Sequence, residues 1–303
     1  MSIVEQTIAR LKRTSAVPSP DATAELPVLK MPGAQLAVEP AAEAAAPSEA
    51  KPARRITVDQ VALRAAGYLP EASEDRRFAE YYRQIKRPLI ESAFSAPSGG
   101  ERERRLIMVS SALPGDGKTF TTINLALSIA RERDVSVLLV DADALKQHVS
   151  EIFGLKREPG LLDALTDENC NVKSLVVATN LRGLSILPAG RFVEGTAELF
   201  SSNRMRQIVA ALMAQNPRRI VLFDSPPLLI TNEGRSLVKI AGQVALVVRA
   251  GTTPRDAVRD AVDMLDERQA GGIVLNQGHI GLTEGYYGYG TYGVNTDENA
   301  SKR

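Results

Sequence analysis

The stretch from residue 105 to residue 130, RLIMVSSALPGDGKTFTTINLALSIA, passes from an apolar run through a glycine-bearing loop into apolar positions at helical spacing. That order is strand, loop, helix, the setting a phosphate-binding loop requires. Within the loop, Gly115 and Gly117 permit backbone angles closed to other residues, so consecutive N–H groups can converge on phosphate oxygens at a helix N-terminus. Lys118 is positioned to reach the β- and γ-phosphates of ATP, and the Thr119 hydroxyl to ligate Mg2+, a hard cation that prefers oxygen. Pro114, Gly115, Asp116, Gly117, Lys118, Thr119 and Phe120 are therefore the candidate nucleotide-binding residues, against the plainer reading of a glycine turn between a strand and a helix.

Working outward, β-rich runs alternate with helical patterns. VSVLLVDAD, LSILPAG, RRIVLFDSPP, QVALVVRAG and GGIVLNQG join RLIMVSS as predicted strands. Such alternation predicts an α/β fold of the P-loop NTPase kind, a mostly parallel sheet covered by helices on both faces. The second strand delivers Asp141 and Asp143 at its carboxyl end, where ligands of open α/β sheets bind. RRIVLFDSPP delivers Asp224 in the same way, as a carboxylate for Mg2+ would be delivered. Lys118, Asp141, Asp143 and Asp224 form the candidate catalytic set, and Thr119, Asp141 and Asp224 the candidate metal ligands. Aspartates also cap helices that follow strands, which is the structural alternative.

Five segments are expected. Residues 1–13 carry Val4, Ile8 and Leu11 at helical spacing, a short amphipathic helix that is marginal alone. Residues 14–55 are Ala/Pro-rich and read as a disordered linker. Residues 56–100 form a helical lead-in, 101–280 the nucleotide-binding domain, and 281–303 a flexible glycine- and tyrosine-rich tail. That tail holds Tyr286, Tyr287, Tyr289 and Tyr292, four of the seven tyrosines of the chain. They read as sites of modification or as a sticky low-complexity segment. From Asn276 to Tyr286 the chain spans at most about 35 Å, so its own or a neighbour's nucleotide is within reach.

Composition narrows the function classes. The 303 residues carry 37 basic and 36 acidic side chains, a formal charge of +1, and no basic stripe with interleaved aromatics, so nucleic acid is not an expected partner. The single cysteine, Cys170, excludes an internal disulfide and argues against a cysteine metal site. No signal peptide and no run of 18 apolar residues is found, so a cytoplasmic protein is expected. His148 and His279 have no metal-ligand partner at recognised spacing and receive no role.

SSALPGDGKT, VLLVDAD, FDSPP, LPAG followed by AELFSS, and the tyrosine-rich tail together resemble the bacterial tyrosine kinases that control polysaccharide synthesis and export, over roughly residues 75–292. MSIVEQTIARLKR and EYYRQIKRPLI look most like the autokinases of exosortase-type exopolysaccharide systems. The resemblance implies an ATP- and Mg2+-dependent enzyme phosphorylating its own Tyr286, Tyr287, Tyr289 and Tyr292, with Asp141 accepting the phenol proton. It implies homo-oligomers through Glu80, Arg83 and Lys86, which stand where the family pattern is E-x-x-R-x-x-R; a solvated charged face is the alternative there. It further implies a membrane-embedded polysaccharide chain-length (co-polymerase) activator that recruits the chain to the inner face of the cell membrane. Asn276 resembles the position that reads adenine, or is a plain strand-end asparagine.

Two features depart from family or rival patterns. The family commonly has Arg and Pro after the paired aspartates, whereas this chain reads Asp143-Ala144-Leu145-Lys146-Gln147, where Lys146 can stand in partly for the arginine. Rival readings are an ATPase switch of the septum-positioning or partition type and a nucleotide-sensing scaffold. The first usually carries a signature lysine where Leu113 stands; intact Lys118, Thr119, Asp141 and Asp224 speak against the second.

Overall fold

The computed structural model describes residues 54–95 and 104–278. The expected amino-terminal helix, nearly all of the linker, the end of the lead-in at residues 96–100 and the tyrosine-rich tail lie outside the described residues. Among those described, the strands are β1 Arg55–Ile56, β2 Leu106–Ser111, β3 Ser136–Asp141, β4 Val177–Thr179, β5 Leu184–Leu187, β6 Arg219–Asp224, β7 Gln243–Arg249 and β8 Ala270–Asn276. The α-helices are α1 Gln60–Ala65, α2 Asp75–Phe94, α3 Lys118–Ala130, α4 His148–Ile152, α5 Leu161–Thr166, α6 Thr196–Ser201, α7 Asn203–Ala214, α8 Asn232–Val238 and α9 Arg255–Asp263.

One sheet runs in the order β1-β4-β5-β3-β6-β2-β7-β8. Every pairing is parallel except β4 with β5, so a mostly parallel sheet is what the chain builds. The reason is visible in the central strands, which are apolar on both faces as a two-sided covering demands. Along β2, Leu106 and Met108 enter one core while Ile107 and Val109 enter the other; Leu138 and Val140 of β3 oppose Val137 and Leu139 in the same way. The first core is closed by α5, α7 and α8 through Leu162, Ile208, Leu212 and Leu237. The second is closed by α2, α3 and α4 through Leu89, Ile123, Ile129 and Val149. Each such fully buried aliphatic side chain contributes about 1.5–3 kcal/mol of transfer free energy, so the central strands are strongly held.

Parallel direction has a functional consequence. β2, β3, β6, β7 and β8 all end on one edge of the sheet, which brings Ala112, Asp141, Asp224, Arg249 and Asn276 to one rim.

Candidate functional site

The loop between β2 and α3 sits at that rim. Gly115 has φ 89° and Gly117 φ 93°, the left-handed region that side chains rarely enter, and Gly117 caps α3. A Cβ on Gly117 would lie 2.0 Å from Asn276 Nδ2. The close approach is used: Asn276 Nδ2 donates to the Asp116 carbonyl at 2.9 Å, while the Asp116 carboxylate accepts from Thr253 Oγ1 at 2.7 Å. Strand β8 and the turn after β7 therefore fix the loop. Pro114 and Gly115 are exposed, and Phe120 meets Phe78 of α2 edge-on at 6.3 Å. Ala112 stands where a glycine usually opens the phosphate-loop pattern, and it is fully buried in the first core.

Lys118 begins α3 with only 7% of its surface exposed. Burial pushes its ammonium below the usual lysine range, against the opposing charges of Asp224, Asp143 and Asp116. A cation held close to the unpaired N–H groups of a helix N-terminus makes a centre suited to phosphate.

Two carboxylates complete the floor. Asp141 and Asp224 are register partners across β3 and β6, and neither has any exposed surface. Asp224 accepts from Thr119 Oγ1 at 2.8 Å and Thr122 Oγ1 at 2.9 Å. Asp141 Oδ2 accepts from Ser150 twice, N–H and O–H each at 2.7 Å, whereas its Oδ1 is buried without a partner. Burial raises the Asp141 carboxyl to about 6; burial, then the neighbouring Asp141 charge, raises Asp224 to about 7. A pair of acids so reluctant to ionise fits a hard divalent cation, which would supply the missing charge and a partner for Asp141 Oδ1. Asp143 is 5% exposed and accepts from Lys146 N–H at 3.2 Å; Lys146 itself is exposed.

The structure thus brings together Lys118, Thr119, Asp141, Asp143, Asp224, the loop and Asn276. It parts the three residues of α2. Glu80 and Arg83 are exposed and ion-paired to each other at 2.5 Å, but Lys86 is 8% exposed and donates to the Ser128 carbonyl at 2.7 Å and to Glu132 at 2.8 Å. Steps of three residues rotate by about 60° each, so the third position has turned from solvent toward α3. The tyrosine cluster and His279 lie outside the described residues. Thr122, Ser150 and Thr253 hold the site without having been visible as candidates, since each acts through a partner that only the fold brings alongside it.

The AAA domain family matches residues 104–252, which covers the loop and both aspartate strands. Tyrosine-protein kinase YwqD of Bacillus subtilis (strain 168) is 31% identical over 193 residues, 63% of this chain and 80% of YwqD. The chain belongs to the bacterial tyrosine kinases. Relatives of this kinase family include tyrosine-protein kinase wzc of Salmonella typhimurium (strain LT2), 28% identical over 194 residues, 63% of this chain but 26% of wzc. The chain thus spans about a quarter of the length of the larger kinases. The crystal structure of the VpsO kinase domain is similar at TM-score 0.55 and 27% identity, covering 68% of this chain and 98% of that one. A nucleotide-binding P-loop kinase is the fold and enzyme class established for the chain.

Proposed function

We propose that this kinase transfers the γ-phosphoryl group of Mg-ATP to its own carboxyl-terminal tyrosines, Tyr286, Tyr287, Tyr289 and Tyr292, and so regulates exopolysaccharide synthesis, chain length or export. The observation that carries the reading is the set of Lys118, Thr119, Asp224 and the unpartnered Asp141 Oδ1 at one rim, in a chain whose four clustered tyrosines begin ten residues after the rim residue Asn276.

In this reading the tyrosine phenol oxygen attacks the γ-phosphorus in line. The new O–P bond forms as the bond to the β,γ-bridging oxygen breaks, and ADP leaves. Lys118 and the loop N–H groups hold the phosphates and stabilise charge on the transferring group. Thr119, Asp224 and Asp141 are the residues that would hold Mg2+, which would supply charge neutralisation at the phosphates. Asp141 orients the phenol and receives its proton. Asn276 borders the adenine in this reading, and Asp143 contributes negative charge beside Lys118.

The activator is a membrane-embedded polysaccharide chain-length protein that recruits the kinase to the inner face of the membrane. Among the described residues no helix is long and apolar enough to cross a bilayer, which is compatible with recruitment by a partner. Homo-oligomers form through Glu80 and Arg83 of the exposed face of α2, without Lys86.

Mass spectrometry of the carboxyl-terminal peptide after incubation with Mg-ATP tests the central claim. Phosphate on Tyr286–Tyr292 in the parent and none in Lys118→Met is the expected result. ATP hydrolysis with unmodified tyrosines, even with the activator's cytoplasmic segment present, overturns the autokinase in favour of an ATPase switch.

A further inference from the structure

We infer that Ser150, held in place by the segment Leu187-Pro188-Ala189-Gly190, is the positioning residue of Asp141. The inference rests on the nucleotide-site reading above and assigns a task to a segment that the reading leaves idle.

The geometry begins with one hydroxyl. Ala189 N–H donates to Ser150 Oγ at 2.9 Å, and Ser150 O–H donates to Asp141 Oδ2 at 2.7 Å. A serine hydroxyl has a single proton, so an incoming donor on its lone pair fixes where that proton goes. Ser150 N–H reaches the same carboxylate oxygen at 2.7 Å. Both donors therefore act on Oδ2, the carboxylate is locked in rotation, and Oδ1 alone remains, buried and unpartnered. A purely structural clamp would satisfy both oxygens, since an orphaned buried oxygen costs its full desolvation. An arrangement that saturates one oxygen and leaves the other bare presents that other to a ligand.

The support behind Ser150 is rigid. Leu161 and Leu162 N–H groups donate to Pro188 and Ala189 carbonyls at 2.8 Å each, and Gln147 Nε2 donates to the Gly190 carbonyl at 3.0 Å. Gly160 packs so tightly there that a Cβ would lie 2.0 Å from the Pro188 carbonyl oxygen. Asp163 completes the brace by accepting from Gly160 N–H at 2.9 Å and from Arg191 N–H at 3.1 Å. The orientation of the Ala189 N–H, and with it the Ser150 hydroxyl, is thus set by backbone contacts from α5 and its start. Outer contacts of this kind typically change metal affinity or activity by about 10–100-fold when removed.

A double-mutant cycle tests the claim with Ser150→Ala, Asp141→Asn and the two combined. Two readouts are taken: ADP formation, which a kinase and an ATPase both produce, and the Mg2+ concentration needed for half-maximal binding of a fluorescent ADP, which needs no turnover. Ser150→Ala is expected to lower the rate at saturating ATP by about 10-fold or more and to raise the Mg2+ requirement, yet to do neither in the Asp141→Asn background. Equal effects of Ser150→Ala in both backgrounds, or none in the parent, overturn the inference. If Ser150→Ala melts far below the parent, Ser150→Cys, of similar shape and weaker donor strength, repeats the cycle with the same two outcomes. Loss of phosphotyrosine with the cycle intact would defeat the autokinase reading and leave this one standing.

Discussion

Asp141 and Asp224 end neighbouring strands in register, and among the described residues both carboxylates are buried without a salt bridge. Burial pushes their carboxyls up to about 6 and about 7, well above the unfolded value near 4. Between about pH 4 and 7 the folded chain then binds more protons than the unfolded chain, so stability is greatest at the low end and falls as pH rises through the two folded values. The melting temperature of the nucleotide- and metal-free protein should therefore drop over this window. In Asp224→Asn the drop should be smaller, and that variant should melt above the parent at pH 8.

Thr122 carries a second prediction. Its hydroxyl lies 2.9 Å from Asp224 Oδ1 and 2.8 Å from the Lys118 carbonyl. Thr122→Val keeps the shape and strands a buried carboxylate oxygen, at a cost of about 1–3 kcal/mol. Urea denaturation should show a lower midpoint with an unchanged slope.

Gly117→Ala should abolish tight nucleotide binding. The added methyl meets Asn276 Nδ2 at 2.0 Å and forces a left-handed backbone on alanine. Adding Asn276→Ala removes the collision but not the backbone strain, so binding of fluorescent ADP should recover only partly.

Lys86 and Arg83 should behave as opposites although three residues apart. Lys86→Ala leaves the buried Ser128 carbonyl without its donor and Glu132 without its partner, a loss of about 1–3 kcal/mol. Arg83→Ala removes an exposed pair and should change monomer stability by less than about 1 kcal/mol. If Arg83 serves assembly, its variant shifts oligomer mass in light scattering while its melting temperature stays near that of the parent.

The central architecture was legible because each long strand is apolar on both faces. RLIMVSS, VSVLLVDAD, RRIVLFDSPP and QVALVVRAG became β2, β3, β6 and β7, while LSILPAG and GGIVLNQG supplied β5 and β8. The short β1 and β4 were not, since two or three residues carry no period, and so the antiparallel step between β4 and β5 was unforeseen. At the site, the residues of the loop and the strand-ending aspartates announce themselves by local pattern. Ser150 does not, because a serine becomes informative only when Ala189 and Asp141 stand on either side of it. Lys86 misled for a related reason: charge spacing along a helix says which residues are neighbours, not which of them the next helix covers.

Strand β1 has a mechanical meaning. It closes the sheet edge with two residue pairs, Arg55 with Ala178 and Ile56 with Thr179, reinforced by Val58 N–H on Asn180 Oδ1 at 2.8 Å, a contact spanning 122 residues of chain. Few hydrogen bonds closing so long a loop make a seam that opens far more readily than the six-residue strands at the centre. Load arriving from the amino-terminal side of Arg54 would meet this strand first, before the helix whose Phe78 packs on Phe120 beside the phosphate loop. That strand is a peelable edge on a stiff central sheet, the place where a pull on the amino-terminal side would first be taken up.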